Sequence, residues 1–541
     1  MQVEVKRIDH LGIIAGTTRD LGIIELIDEA LGVDKQEDVT KGEIVAGMIL
    51  NGLGFLSKPL MLSPLFFETK ALGILIRRGV VPGQFNRHKI GRVLDDIGEY
   101  GCAKLFNSIA FQACKRENVD MTFGHADTTT YSLTGEYDSD SDTERIVITY
   151  GHSKDNRPDL KQVVQELFTT QDGGIPLMTK SWSGNESDVT ILRERAIALM
   201  DEFSRSGSRI FVADSKLYNV ETAKTLNKIN FITRVPSTIK REHEIIDLAL
   251  QKADAWIDAG KGYKLQDFSV ESYGIADQRW IVCYSEQAHN RSKKTLQKNV
   301  EREKKSIEKQ LFHLRAQRFS CHIDAQKALQ LLSKKWKYHR VSEEQFSEVR
   351  SYDKPGRPTE SIASRCEWKI NALVVFDQKI FDNILAQHSC FVLATNVSPT
   401  TYSAANVLVG YKGQDKCEKG FAFIKSNEFF TTSLFLKKPQ RIEALLTIMV
   451  LALLVYSIAQ RHLRRALALS CLTLPNQINT PTTTPTMRWI FQLFEGIDHV
   501  IITIDGVKTE TIQGLNELRK KIINLLSINV QQVYQNFLPG G

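Results

Sequence analysis

The sequence predicts an α/β fold with a β-rich insertion, preceded by a helical N-terminal domain. Three observations carry this. Residues 1–117 show mainly helical patterning; from residue 118 the texture changes to strands broken by helices; and 181 residues separate Pro236 from Glu418, too many for a loop, with strand patterns of their own. At roughly 150 residues per domain, 541 residues suggest three or four units. With 42% hydrophobic and 25% charged residues the chain reads as globular and soluble.

In the N-terminal part, "TKGEIVAGMILNGLGF" opens a helix with Thr40 as N-cap and Glu43 three residues on, a capping-box spacing. "NRHKIGRVLDDIGEYGCAKLFNSIAFQACKRE" is a second long helical region with Arg87, His88, Lys89 and Arg92 at its start. Basic helix starts of this kind suit DNA reading, and a helical domain of this size also suits dimerisation. Both stay open.

The strand region begins with "VDMTFGHADTTTYSL", which holds Asp127. The polar turn "GEYDSDSDTE" leads into "RIVITYG"; then "LKQVVQELFTT", the turn "QDGG" and "IPLMTKSW" read as a hairpin. "DVTILRERAIALMDEFSRS" is helical, "RIFVADSKLY" is an apolar run ending on Asp214, "NVETAKTLNKI" is helical and "NFITRVP" is a strand. Three mainly antiparallel strands, helix, strand, helix, strand is the order of a ribonuclease H-like sheet. There the first and fourth strands are neighbours, which brings Asp127 close to Asp214. Two converging carboxylates suit Mg²⁺, which takes oxygen ligands and shares its shell with substrate phosphates. A third acid is expected on a helix packed against the sheet. In "YKGQDKCEKGFAFIK", Tyr411, Gln414, Glu418 and Lys425 recur at spacings of three, four and seven and share roughly one helical side.

The insertion carries "YKLQDFSVESYG", "QRWIVCYSE", "EWKINALVVFD" and "CFVLATNV" as strands. Between them, residues 291–318 contain ten Lys/Arg against three Glu, so this one segment holds the whole net charge of +7. Leu296, Val300, Ile307, Leu311 and Leu314 fall on one helical face and leave the cations, Lys293, Lys294 and Lys298 among them, on the other. Such a face is either simply solvated or a surface for a phosphate backbone. Trp280, Trp336 and Trp368 read as core residues, with stacking on a flipped base as the other use. Ala444–Ala459 is an apolar run of 16 residues, short of the ~20 that span a bilayer, and reads as a buried core helix. "PNQINTPTTTPT" reads as a linker before a small helix and strand unit. The expected organisation is 1–117 helical, 118–240 first part of the core, 241–394 insertion, 395–470 second part of the core with the Glu helix, 475–486 linker and 487–541 a small C-terminal unit.

These motifs resemble the DDE transposases of bacterial insertion sequences, in particular the group with a Tyr-(2)-Arg-(3)-Glu-(6)-Lys signature and a large β-rich insertion before the catalytic Glu. The likeness runs through "RIDHLGIIAGTTRDLGIIELID", "GHSKDNRPDLKQ", "ADSKLY" and "LKKPQRIEALL" and so spans most of the chain. It implies Asp127, Asp214 and Glu418 as the catalytic and metal-binding acids, with two Mg²⁺ ions or Mn²⁺ in their place. Tyr411 and Lys425 would belong to the signature around Glu418. Gln414 stands where the signature has Arg and brings no positive charge to a phosphate. The resemblance further implies hydrolysis at element ends, strand transfer into double-stranded target DNA, and a homodimer in the DNA complex. Lys154, Arg157 and Lys161, near the sheet edge, read either as DNA contacts beside Lys293, Lys294 and Lys298 or as a solvated loop.

Other chemistries fit less well. The eight cysteines lie at least 12 positions apart, which leaves no zinc-knuckle spacing and suits reduced cytoplasmic thiols. The opening residues lack a signal peptide's apolar core, in keeping with a cytoplasmic protein away from any membrane. A phosphatase using an aspartyl nucleophile needs a second Asp two residues on, where Asp127 has Thr129. A nuclease built on Pro158 and Asp159 needs a following acid-x-Lys, absent from "QVVQELFTT". A relative that binds DNA without catalysis, regulating transposition, is the reading from a different class. His125 and His152 flank the first acid and read as structural.

Overall fold

The computed structural model describes residues 1–34, 36–55, 59–135, 137, 146–204, 209–219, 229–270, 278–352, 364–426 and 436–535. The helix expected in "NVETAKTLNKI" and most of the acidic turn before "RIVITYG" lie outside the described residues. The chain forms two compact units, one comprising Met1–Thr233 and Val409–Gly541, the other Arg234–Ser272 and Ala276–Leu408.

In the first unit, β1 (Gln2–Arg7) pairs antiparallel with Asp498–Ile504, which pairs in turn with Val507–Gln513. The helix Leu11–Leu21 packs on Ile528–Gln535 through two glycines. A Cβ at Gly12 would stand 2.5 Å from the Tyr534 ring and one at Gly16 2.5 Å from the Val530 backbone. The Tyr534 hydroxyl donates to the Asp9 carbonyl at 2.5 Å. Residues within 487–535 therefore pack against the N-terminal region. Residues 475–486 are likewise packed: Leu474–Pro475 pairs with Pro481–Thr482, Arg464 donates to the Pro485 carbonyl and Trp489 to the Pro475 carbonyl. The Thr40–Glu43 capping box forms as its spacing predicts.

The core strands are β2 (Phe123–Leu133), β3 (Lys161–Thr170), β4 (Pro176–Trp182), β5 (Ile210–Ala213) and β6 (Asn230–Arg234), in the spatial order β4-β3-β2-β5-β6. β2, β3 and β4 are antiparallel, while β5 and β6 run parallel to β2. The β3–β4 turn carries Gly173 and Gly174 at φ +83° and +66°, a left-handed pair that glycine adopts without strain. "RIVITYG" contributes only a bridge, Thr149 to Gln162. Nearly every residue of β3 is buried, because helices cover both faces of the sheet. On one face, Arg195 of the helix Asp188–Ser204 pairs with the buried Glu166, which also accepts from Trp182 Nε1 at 3.0 Å. On the other, Gly420 of the helix Asp415–Ile424 admits Leu167 and Leu453 to van der Waals contact.

The apolar run lies within Pro439–Leu469, a helix of 31 residues that is long and apolar enough to cross a membrane, yet 83% of its most apolar window is buried inside the protein. At about 1.5–3 kcal/mol per fully buried large apolar side chain, Leu446, Leu451, Leu454 and Ile458 make it a principal source of stability for this unit. Arg441 fastens one end to Asp95 at 2.6 Å, and Arg461 fastens the other to Asp172 at 2.6 Å.

In the second unit, Ile257–Gly260, Tyr263–Val270, Gln278–Ser285 and Cys390–Thr395 form antiparallel neighbours, and His339–Tyr352 pairs with Ser364–Phe376 as a long hairpin. The 31-residue helix Glu286–Ala316 sets Ile307, Leu311 and Leu314 against Leu329 and Ile370, and Leu296 against Tyr338 and Phe381. Trp280 is fully buried, Trp336 is half-buried and donates to Gln310, and Trp368 is half-buried with its ring edge-on to His322.

Candidate active site

Parallel pairing of β2 with β5 aligns His125 with Val212 and Ala126 with Ala213. One step further along the two strands come Asp127 and Asp214, on strands about 4.8 Å apart. Asp214 leaves β5 in extended conformation and caps the short turn Ser215–Leu217, its Oδ1 accepting from the Lys216 backbone N–H at 2.9 Å. The Thr233 hydroxyl donates to its carbonyl at 2.8 Å and ties the acid to β6. Asp127 Oδ1 accepts from the Thr128 N–H at 2.7 Å.

Burial pushes the Asp127 carboxyl up to about 6; Lys154 and the Thr128 N–H oppose this, while the charges of Asp214 and Asp188 add to it. Asp214 is also raised, again by burial first, with the Lys216 N–H and charge opposing and Asp188 reinforcing. Two acids on neighbouring strands are thus held against their own ionisation, and a cation would relieve both.

A third acid joins them. Asp188 opens the helix Asp188–Ser204 and accepts from the Thr128 hydroxyl and from Lys216 Nζ, with Lys154 Nζ at 3.3 Å. Burial alone would raise its carboxyl, but the bonds from Lys216 and Thr128 and the nearby ammonium charges hold it below the ordinary value. Sequence reasoning passed over Asp188; its signal was an acid in a helix's first turn, which looks like dipole compensation.

Glu418 lies on the helix Asp415–Ile424, exposed and without an ion pair among the described residues. This helix is locked onto β2. Gln414 Nε2 donates to the Ala126 carbonyl at 2.9 Å, and Cys417 Sγ contacts the His125 carbonyl at 3.0 Å and Thr169 Oγ1 at 3.1 Å. Gln414 therefore serves as a buried strut beside Asp127. Burial pushes the Cys417 thiol well up and Thr169 offsets it in part. Among the described residues, no three His, Cys, Asp or Glu side chains are gathered closely enough to hold a metal ion.

The expected DNA contacts divide. Lys154 Nζ is drawn inward, donating to the Thr128 carbonyl at 2.5 Å and hydroxyl at 2.6 Å. Arg157 pairs with Asp159 at 2.7 Å, Lys161 donates to the Tyr137 carbonyl at 2.8 Å, and Lys425 pairs with Asp155 at 2.9 Å while standing 5.5 Å from the centre of the Tyr131 ring. Tyr411 is half-buried on the helix Ala404–Lys412. In the second unit Lys293, Lys294 and Lys298 are exposed on the helix Glu286–Ala316. His125 is fully buried and burial lowers it to about 4, so it is neutral; His152 is exposed.

A family model described as a domain of unknown function (DUF4277) matches residues 3–111, about a fifth of the chain, outside the acids. No curated protein matches. A solved structure titled as the cryo-EM structure of a piggyBac transposase synaptic complex with hairpin DNA aligns with 100% of this chain and 89% of its own, at 9% identity and a TM-score of 0.37. A likeness of that degree does not establish a common fold.

Proposed function

We propose that this chain is a DNA transposase with a ribonuclease H-like core, hydrolysing phosphodiesters at element ends and transferring the freed strand into target DNA. The observation that supports this most is the alignment of Asp127 with Asp214 on adjacent parallel strands, both pushed upward by burial. An all-oxygen donor set under mutual repulsion suits Mg²⁺ or Mn²⁺. Asp127 and Asp214 would hold such an ion, which when bound would activate an attacking oxygen or stabilise a leaving one, and Glu418 is the proposed third ligand, not gathered with them in this structure.

The chain's own residues prepare that site. Lys154 and Lys216 screen the two raised acids, and Asp188 holds both lysines in place. Gln414 and Cys417 fix the Glu418 helix against β2. Burial of His125 beneath that helix keeps a neutral imidazole where a cation would compete. In the first step a water oxygen bonds to phosphorus, the bond to the 3′ oxygen breaks and a 3′-OH is freed; in the second, that 3′ oxygen bonds to a target phosphorus while the target strand's own 3′ oxygen leaves and takes up the proton. The exposed cations Lys293, Lys294 and Lys298 would hold duplex DNA, with a homodimer pairing two ends.

The test is strand transfer. A pre-cut oligonucleotide carrying an element end, incubated with target plasmid and Mg²⁺, should become joined to the plasmid with the wild type and remain unjoined with Asp214→Asn. The exposure of Glu418 favours a second reading, a DNA-binding relative without catalysis. DNA binding with no joining by the wild type would select it.

A further inference from the structure

Away from the acids, the first unit contains a cleft of about 550 Å³ between the β3–β4 turn and the end of the long apolar helix. Arg461, Arg464, Arg465 and Lys416 line it, together with Gln460 and a single acid, Asp172. Asp172 is already engaged, by Arg461 at 2.6 Å and by the Asp120 backbone N–H at 3.0 Å. Arg461 Nη2, which holds Asp172, also donates to the Asn118 carbonyl at 3.0 Å, Nη1 donates to the Glu117 carbonyl at 3.0 Å, and its Nε–H is buried without an acceptor among the described residues. Arg464 donates to the Pro485 carbonyl and has no carboxylate in hydrogen-bond reach among the described residues; burial lowers its guanidinium from the ordinary value. The side chains of Lys416 and Arg465 make no hydrogen bond or ion pair among the described residues. Four cations thus converge on one neutralised acid, in a concavity where charges repel unless an anion enters. Gly173 and Gly174 form the turn that walls the cleft, and a side chain at either would press on Arg461 or Lys416 at 3.1–3.2 Å.

We propose that this cleft binds a phosphate group of a nucleic-acid backbone, gripped by Arg465 and Lys416 against the fixed guanidinium groups of Arg461 and Arg464. Planar guanidinium groups with free N–H edges match the paired oxygens of a phosphate. Lys416 sits on the Glu418 helix, two residues from the proposed third acid. The source of the phosphate rests on the DNA reading above; the anion site itself does not.

The experiment compares the full-length protein with Lys416→Ala/Arg465→Ala and with a control pair, Lys240→Ala/Lys379→Ala, both exposed and outside the cleft. Melting curves verify that all three fold. Fluorescence anisotropy measures binding of a duplex across a salt series, and calorimetry measures inorganic phosphate. The cleft pair should bind duplex roughly tenfold more weakly, with the slope of log K against log salt reduced by about 1.8 for two lost contacts, and should lose phosphate binding. Phosphate binding lost with duplex binding intact would overturn the backbone assignment. No phosphate binding by the wild type, or equal losses in both pairs, would overturn the site. A wild type that binds phosphate and no duplex would refute the transposase reading while leaving the cleft decided by its own arm.

Discussion

Replacing Asp127 by Asn should stabilise the protein while abolishing its activity. Asn is isosteric, and its Oδ1 can still accept the Thr128 N–H that Asp127 accepts at 2.7 Å. What disappears is a buried charge. The Asp127 carboxyl is raised from 3.8 to about 6, which corresponds to about 3 kcal/mol of native-state destabilisation once the group is ionised in both folded and unfolded chains. The sign follows from that direction. Below 3.8 the acid is neutral in both states and the substitution changes little; between 3.8 and about 6 the unfolded chain ionises first and the wild type loses stability; above about 6 the full difference is present. Calorimetric melting of wild type and Asp127→Asn at pH 8 and pH 4 in the absence of divalent ions measures this. The variant should melt a few degrees higher at pH 8, with most of that gap gone at pH 4. Added Mg²⁺ should raise the wild-type midpoint and narrow the gap. A variant less stable at pH 8, or a gain independent of pH, would refute the claim that this acid is held against its own charge.

Other consequences follow from the same packing. Arg195→Met strips the fully buried Glu166 of its charge partner and should destabilise by about 3–5 kcal/mol in denaturant titration, with much of the loss recovered in Arg195→Met/Glu166→Gln. Gly16→Ala drives a methyl into the Val530 backbone and should cost roughly 1–3 kcal/mol, seen first as faster hydrogen exchange in Ile528–Gln535. Glu443, pushed up to about 7 by burial with Lys180 only partly offsetting, destabilises the fold as pH rises from 4.5 through 7; Glu443→Gln should raise the melting midpoint at pH 8 and leave it unchanged at pH 4. Lys154→Met removes a cation that restrains Asp127 and should move that carboxyl's titration, followed by carbon NMR, further upward.

Local patterns were the most legible part of the sequence. The Thr40–Glu43 cap, the "QDGG" hairpin and the apolar stripe from Leu296 to Leu314 each depend on residues within one element, so spacing alone reveals them. The adjacency of the Asp127 and Asp214 strands was legible because the order of elements constrains it. Long-range electrostatics was not. Asp188 meets Thr128 and Lys216 across 60 and 28 positions, and nothing in its own neighbourhood marks it as a partner of the first acid. The same limit hid the inward turn of Lys154, which in a loop sequence looks like any solvated cation. β1 escaped because its pattern is largely exposed and its partner lies at the far end of the chain. The length of the apolar helix was underestimated, since the apolar run stops at Ala459 while the fold gives Arg461 and Arg464 backbone carbonyls to bind and carries the helix on to Leu469.

The central claim is that Asp127, Asp214 and Glu418 act together on a phosphodiester, and Glu418 is the acid whose part is least apparent from its exposed position. Cleavage of DNA carrying the repeats that flank this gene, with Mg²⁺, comparing wild type with Glu418→Gln, tests it most directly. The account predicts cleavage at the repeat ends by the wild type and none by the variant, with both binding the DNA. Equal cleavage by the two would contradict the assignment of the third acid, and binding without cleavage by either would contradict the catalytic reading.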